Sequence, residues 1–150
     1  MIARWVFASF HLLALGIGLG ALWARGRALG GTLDRAGLAR AFVADTWWGV
    51  AALLWIGTGL VRLFGGLEKG MPYYMQNHLF MTKMALLGLV LVLELAPMLT
   101  LLRWRIQLAR GEEPDTRAAG RLAKISVLQA ALVVAMVFAA AGMARGLGSR

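Results

Sequence analysis

Charged residues are missing from four stretches of the chain, 5–24, 46–61, 84–93 and 125–144. A helix of that length in water needs a polar face, so uninterrupted apolar runs of this kind read as membrane spans. The pattern predicts helices at about 4–24, 43–64, 79–102 and 124–144, each close to the roughly 20 residues that cross a hydrocarbon core of about 30 Å. The expected fold is all-α and integral to the membrane: one domain over 1–150, a four-transmembrane-helix up-and-down bundle. The opening run, MIARWVFASFHLLALGIGLGALWA, is expected to be a retained first helix, because it contains His11 and ends without an A-x-A cleavage site.

The connections carry turn and cap signals. In RGRALGGTLDRAGLAR, Gly30 and Gly31 break the first helix, and Thr32 is the expected N-cap with Asp34 in the following turn. In GEEPDTRAAGRLAK, a Gly/Pro turn leads to Asp115 or Thr116 as the cap of the last helix. The loop GGLEKGMPYYMQNH begins with glycines and carries Tyr73 and Tyr74, residues suited to a membrane interface, so it is expected to fold back over the helix ends and cover a site.

Helical spacing then sorts the polar residues. Asp45, Trp48, Ala52, Trp55, Gly59 and Arg62 step by three and four along one face of the second helix, a face that should look inward. Lys83 and Glu94 share a face of the third helix with Leu87, Val90 and Pro97, about 16 Å apart and so out of reach of each other. His11 lies with Ala14, Leu15 and Gly18 on the first helix, and Gln129, Met136 and Met143 form a stripe near Ser126 on the fourth. Antiparallel helices sort these groups into two levels. His11, Arg62 and Lys83 make a cationic layer, with Glu68 of the loop the one acid at its level, suited to an anion such as a carboxylate, whereas Asp45, Glu94 and Gln129 make an acidic layer able to hold or relay a proton. Bland readings stand beside these: helix–helix hydrogen bonding for His11, snorkelling for Arg62 and Lys83, pairing with Arg103 or protonation for Glu94, and packing for the Met and Trp stripes. His78, in the loop, is expected to be solvated.

Composition agrees with membrane burial: 60% of residues are hydrophobic and 15% charged, with a mean hydropathy of +0.71. A net charge of +9 brings no zinc spacing or aromatic RNA-binding motif with it, so nucleic acid is not an expected partner. The bases report topology instead. Arg25, Arg27, Arg35 and Arg40 fall between the first two spans, and Arg103, Arg105, Arg110, Arg117, Arg121 and Lys124 between the last two. Arg4, Lys69, Arg145 and Arg150 are left for the other side, so both termini are expected outside a bacterial inner membrane that the chain crosses several times. Absence of cysteine removes disulfides and thiol chemistry. The Gly16, Gly20 pair fits a small-xxx-small contact, either within the chain or in a homo-oligomer or larger membrane complex.

The string DTWWGVAALLWIGTGLVRLFGGLEKGMPYYMQNHLFMTKMALLGLVL, with PMLTLLRWR and the ending MARGLG, resembles a bacterial family of four-helix membrane proteins known as a domain of unknown function. Asp45, Gly59, Arg62, Lys69, Gly70, Tyr74, Asn77, Phe80 and Lys83, with His11, carry the likeness. The pairing of His11 in FHLLALGIGLG with Lys83 in FMTKMALLGLVL is similar, more distantly, to HemJ-type protoporphyrinogen oxidases and CopD-type copper proteins. That resemblance implies haem b with His11 as the axial, metal-bound ligand, Arg62 and Lys83 near its carboxylates, and membrane oxidoreductase activity on a porphyrin. The basic, aromatic stretch that follows the first helix in those oxidases is missing here, and no second axial ligand or catalytic residue is indicated. Two other expectations remain open: a non-catalytic membrane subunit or assembly factor, and a transporter of copper, a small solute or protons using His11, Glu94 and the methionines.

Overall fold

A computed structural model describes residues 2–65 and 71–148, apart from the side chains of Met71 and Tyr73. The expectations for Glu68, Lys69, Gly70, Arg150 and the Tyr73 side chain fall outside the described residues. Four long helices carry the fold: α1 (Ile2–Leu29), α2 (Arg35–Phe64), α4 (His78–Ala109) and α5 (Ala119–Ala144), with a short α3 (Met71–Met75) between α2 and α4. All four long helices are long and apolar enough to cross a membrane, and the chain is a multi-pass four-helix bundle. Its outer surface carries Leu53 at 75%, Phe138 at 74% and Val92 at 64% exposure, a coat that suits lipid rather than water.

The helices overrun the sequence-predicted spans. α1 continues past 24 to Leu29 and α2 begins at Arg35 rather than 43, because the flanking Arg and Ala residues are good helix formers and a helix carries its own backbone hydrogen bonds out of the bilayer. The α2 cap is Asp34, whose Oδ1 accepts from the Gly37 amide at 2.7 Å; this corrects the assignment to Thr32. Asp115 caps a 3₁₀ turn (Thr116–Ala118) that leads into α5, and the hydrogen bonds from Arg117 hold its carboxyl below the usual range. Asn77 caps α4 by accepting from the Leu79 and Phe80 amides.

In the bundle α1 packs against both α2 and α5, and α5 packs against α4, while α2 and α4 approach each other less closely. The faces read from helical spacing are the buried ones, with Trp48 at 4%, Trp55 at 6%, Val90 at 0% and Met136 at 1% exposure. Apolar residues form three clusters along the axis. Leu29, Leu38, Leu101, Trp104 and Leu122 fill the end with the α1–α2 and α4–α5 connections; Leu22, Trp48, Val90 and Val133 fill the middle; Ala14, Trp55 and Met136 lie towards the termini. At the terminal end the chain is clipped to the start of α4. The Asn77 side chain donates to the Leu147 carbonyl, and the His78 amide donates to the Gly148 carbonyl. Gly148 has φ +81°, and a Cβ there would meet Leu79 and the Asn77 side chain at under 3 Å, so glycine alone fits the clip.

Candidate functional site

Two polar layers accompany these clusters. The first separates the middle cluster from the one at the connection end, and its centre is Arg25, a residue the sequence pattern assigned to the first connection. Arg25 is 0% exposed. Its Nη1 donates to Asp45 Oδ1 at 2.9 Å and Glu94 Oε1 at 2.8 Å. Nη2 donates to Glu94 Oε2 and Gln129 Oε1, both at 2.8 Å, and Nε donates to Ser126 Oγ at 3.0 Å. A guanidinium has five N–H groups, and here each finds an acceptor. Ser126 can accept because its own hydroxyl hydrogen goes to the Leu122 carbonyl, and Gln129 Nε2 donates to Glu94 Oε2 and the Val90 carbonyl. Arg105 completes the layer: its Nη2 bonds Asp45 Oδ2, the Phe42 carbonyl and Thr46 Oγ1, tying α4 to α2.

Asp45, Glu94 and Gln129 are thus brought together, but around two arginines, so the layer is charge-balanced rather than acidic. Glu94 pairs with Arg25 and not with Arg103. The signal for Arg25 was in the spacing: His11, Gly18 and Arg25 are seven apart on one face of α1, the same face that carries Ala14 and Leu22. What hid it was position, since an arginine directly after an apolar run looks like a topological flank.

The second layer, near the termini, is an open cavity of about 540 Å³. His11, Arg62 and Lys83 all line it, together with Trp55, Tyr74, Met136 and Met143. Thr58 Oγ1 lies 3.0 Å from His11 Nδ1 and 2.7 Å from the Leu54 carbonyl, to which it donates. A Thr58 hydroxyl that donates to the Leu54 or Trp55 carbonyl can accept from His11, the tautomer in which Nδ1 carries the proton and Nε2 keeps its lone pair. The Trp55 indole stacks obliquely on the imidazole at 5.8 Å. A Cβ at position 59 would come within 3.3 Å of His11 Cε1, so Gly59 lets α2 approach the ring. Tyr74, from α3, packs on Phe80 at 5.1 Å beside the cavity.

Polar groups in this cavity are not all satisfied from within. Trp55 Nε1 is buried with no hydrogen-bond partner, and among the described residues Lys83 makes no hydrogen bond or ion pair. None of the described lining residues is acidic. Among the described residues no three His, Cys, Asp or Glu side chains are grouped as metal ligands, so a metal here would rely on His11 and on donors outside that set. His78 is exposed at the start of α4.

The fold and this pair of layers define a class, a multi-pass membrane helical bundle with one internally paired ionic layer and one open polar cavity. Residues 3–148 match the model of a family described as "Predicted membrane protein (DUF2214)", and the chain belongs to that family. No curated protein and no solved structure matches it.

Proposed function

We propose that the chain is a small redox-associated protein of the bacterial inner membrane that holds a carboxylate-bearing cofactor, haem b, in the cavity near the termini. The observation that carries this reading is the convergence of His11, Lys83 and Arg62 on one cavity that Trp55, whose Nε1 is buried and unpartnered, also lines. The volume of about 540 Å³ falls in the range of small-molecule sites. The donor set suits such a group: an imidazole whose other nitrogen is already anchored, cations and an indole N–H for propionates, and apolar walls for a ring. When bound, haem would supply one-electron redox chemistry; the residues' part is to hold it, orient it and keep it from water. The distant likeness to HemJ-type oxidases supports the cofactor's identity, and porphyrin oxidation is the activity it points to. The concentration of bases at the end opposite the termini supports placing the termini outside.

The test is an absorbance spectrum of protein purified from haem-replete cells, with His11→Ala and His78→Ala beside it. A Soret band lost in His11→Ala and kept in His78→Ala is expected. A colourless wild-type protein, or full haem content in His11→Ala, would falsify the assignment. One other reading uses the same cavity: Met136 and Met143 line it with His11, a soft donor set suited to Cu(I). Metal analysis of the same preparation separates the two, and protein with neither haem nor copper would point to a structural subunit.

A further inference from the structure

We propose that the groove between α1 and α2 on the lipid-facing surface binds one anionic phospholipid, with an acyl chain along the groove and the headgroup phosphate between Arg27 and Arg40. The groove has a volume of about 830 Å³. Its floor is made of small side chains, Ala21 at 7% and Ala44 at 6% exposure, and its walls include Ile17 and Trp47. From Ile17 to Ala28 it runs about 16 Å along α1, about the depth of one leaflet's hydrocarbon. Both arginines lie at the end of the groove where the chain leaves the bilayer. Among the described residues neither makes a hydrogen bond or an ion pair.

Depth and charge together select the occupant. A hydrocarbon tail matches the apolar trough, and a phosphate matches two guanidiniums at its mouth, the arrangement by which basic pockets between transmembrane helices hold anionic lipids. A second copy of the chain is the competing occupant, since Gly16 and Gly20 face outward with open space where a Cβ would be. A two-fold contact across this groove would bring Arg27 and Arg40 of one copy against the same pair of the other, a repulsion no acid lining the groove relieves.

The experiment is native mass spectrometry of the full chain in neutral detergent, titrated with phosphatidylglycerol or with phosphatidylcholine of the same acyl chains. Wild-type protein is expected to retain one phosphatidylglycerol and to prefer it over phosphatidylcholine. The double variant Arg27→Gln/Arg40→Gln should hold it roughly thirty-fold more weakly, the effect of two basic side chains at an anionic surface. Ala24→Leu, which narrows the groove without touching the bases, should also weaken retention at least tenfold. Arg110→Gln/Arg121→Gln, which removes exposed bases outside the groove, should stay within about twofold of wild type. Four results overturn the proposal: equal retention of the two lipids; a double variant within about twofold of wild type; displacement by equimolar inorganic phosphate, which would make it a free phosphate site; or a dimer signal abolished by Ala24→Leu, which would make the occupant a second copy.

Discussion

The two polar layers of this bundle use similar residues and reach opposite states. Around Arg25, two arginines face two carboxylates, all five guanidinium N–H groups are bonded, and apolar clusters close the layer on both sides. Around His11, the described lining side chains include two cations and no acid, an indole N–H is left over, and there is a cavity. A charge at membrane depth costs several kcal/mol unless it is paired, so both arrangements need a reason. The first supplies its own: it joins all four long helices through one side chain. The second leaves Lys83 and the Trp55 indole N–H without a partner among the described residues, and that difference is what the proposed binding role rests on.

The comparison breaks most easily at Arg25. Arg25→Leu leaves Glu94 without a cation and Asp45 with Arg105 alone, and is expected to cost about 3–5 kcal/mol, seen as loss of monodisperse protein or a much lower thermal midpoint. Arg25→Leu combined with Asp45→Asn and Glu94→Gln should recover part of that loss; no recovery would mean that Arg25 acts through packing rather than charge. At the cavity the sign should reverse. Lys83→Met removes a cation that the described residues do not pair, so the ligand-free protein should be as stable as wild type or more so, while ligand occupancy falls about tenfold; Arg62→Met should lower occupancy likewise with the bundle still folded. A large drop in midpoint for Lys83→Met would place that residue in the structure and not in the site.

A smaller effect is expected at Trp55. Trp55→Phe keeps a ring against His11 but deletes the unpartnered Nε1, relieving a penalty of about 1–3 kcal/mol in the empty protein and removing a donor from the bound one. The thermal midpoint should therefore rise without ligand and the ligand-induced shift should shrink; an unchanged shift would mean that Nε1 never meets the ligand. Smallest of all, Asp34→Ala removes the α2 cap at a cost of about 1 kcal/mol, and because Asp34 touches neither layer, cavity occupancy should not change.

Much of this contrast was written in the sequence. Charge-free runs marked the spans, and steps of three and four residues placed Trp48, Trp55, Val90, Gln129 and Met136 on inner faces, because a helix repeats every 3.6 residues whatever surrounds it. The cavity residues His11, Arg62 and Lys83 were grouped by depth for the same reason. Arg25 escaped, since its partners lie 20, 69 and 104 residues away on three other helices and only its seven-residue step from Gly18 distinguishes it from Arg27 two positions later. Helix ends were read short because basic residues continue a helix into the headgroup region as readily as they end a span. Only the three-dimensional arrangement could reveal the groove between α1 and α2, whose lining is drawn from both helices.

The middle apolar cluster of Leu22, Trp48, Val90 and Val133, none more than 4% exposed, has an electrical meaning. It is a dry insulator between two polar regions, so most of a transmembrane voltage should fall across it, at about 2.3 kcal/mol per unit charge for each 100 mV. Anions entering the cavity from the terminal side stop short of that drop, and their binding should depend little on the energised state of the membrane. A proton passing from one layer to the other would face nearly all of it, with no side chain in the insulator able to carry the charge.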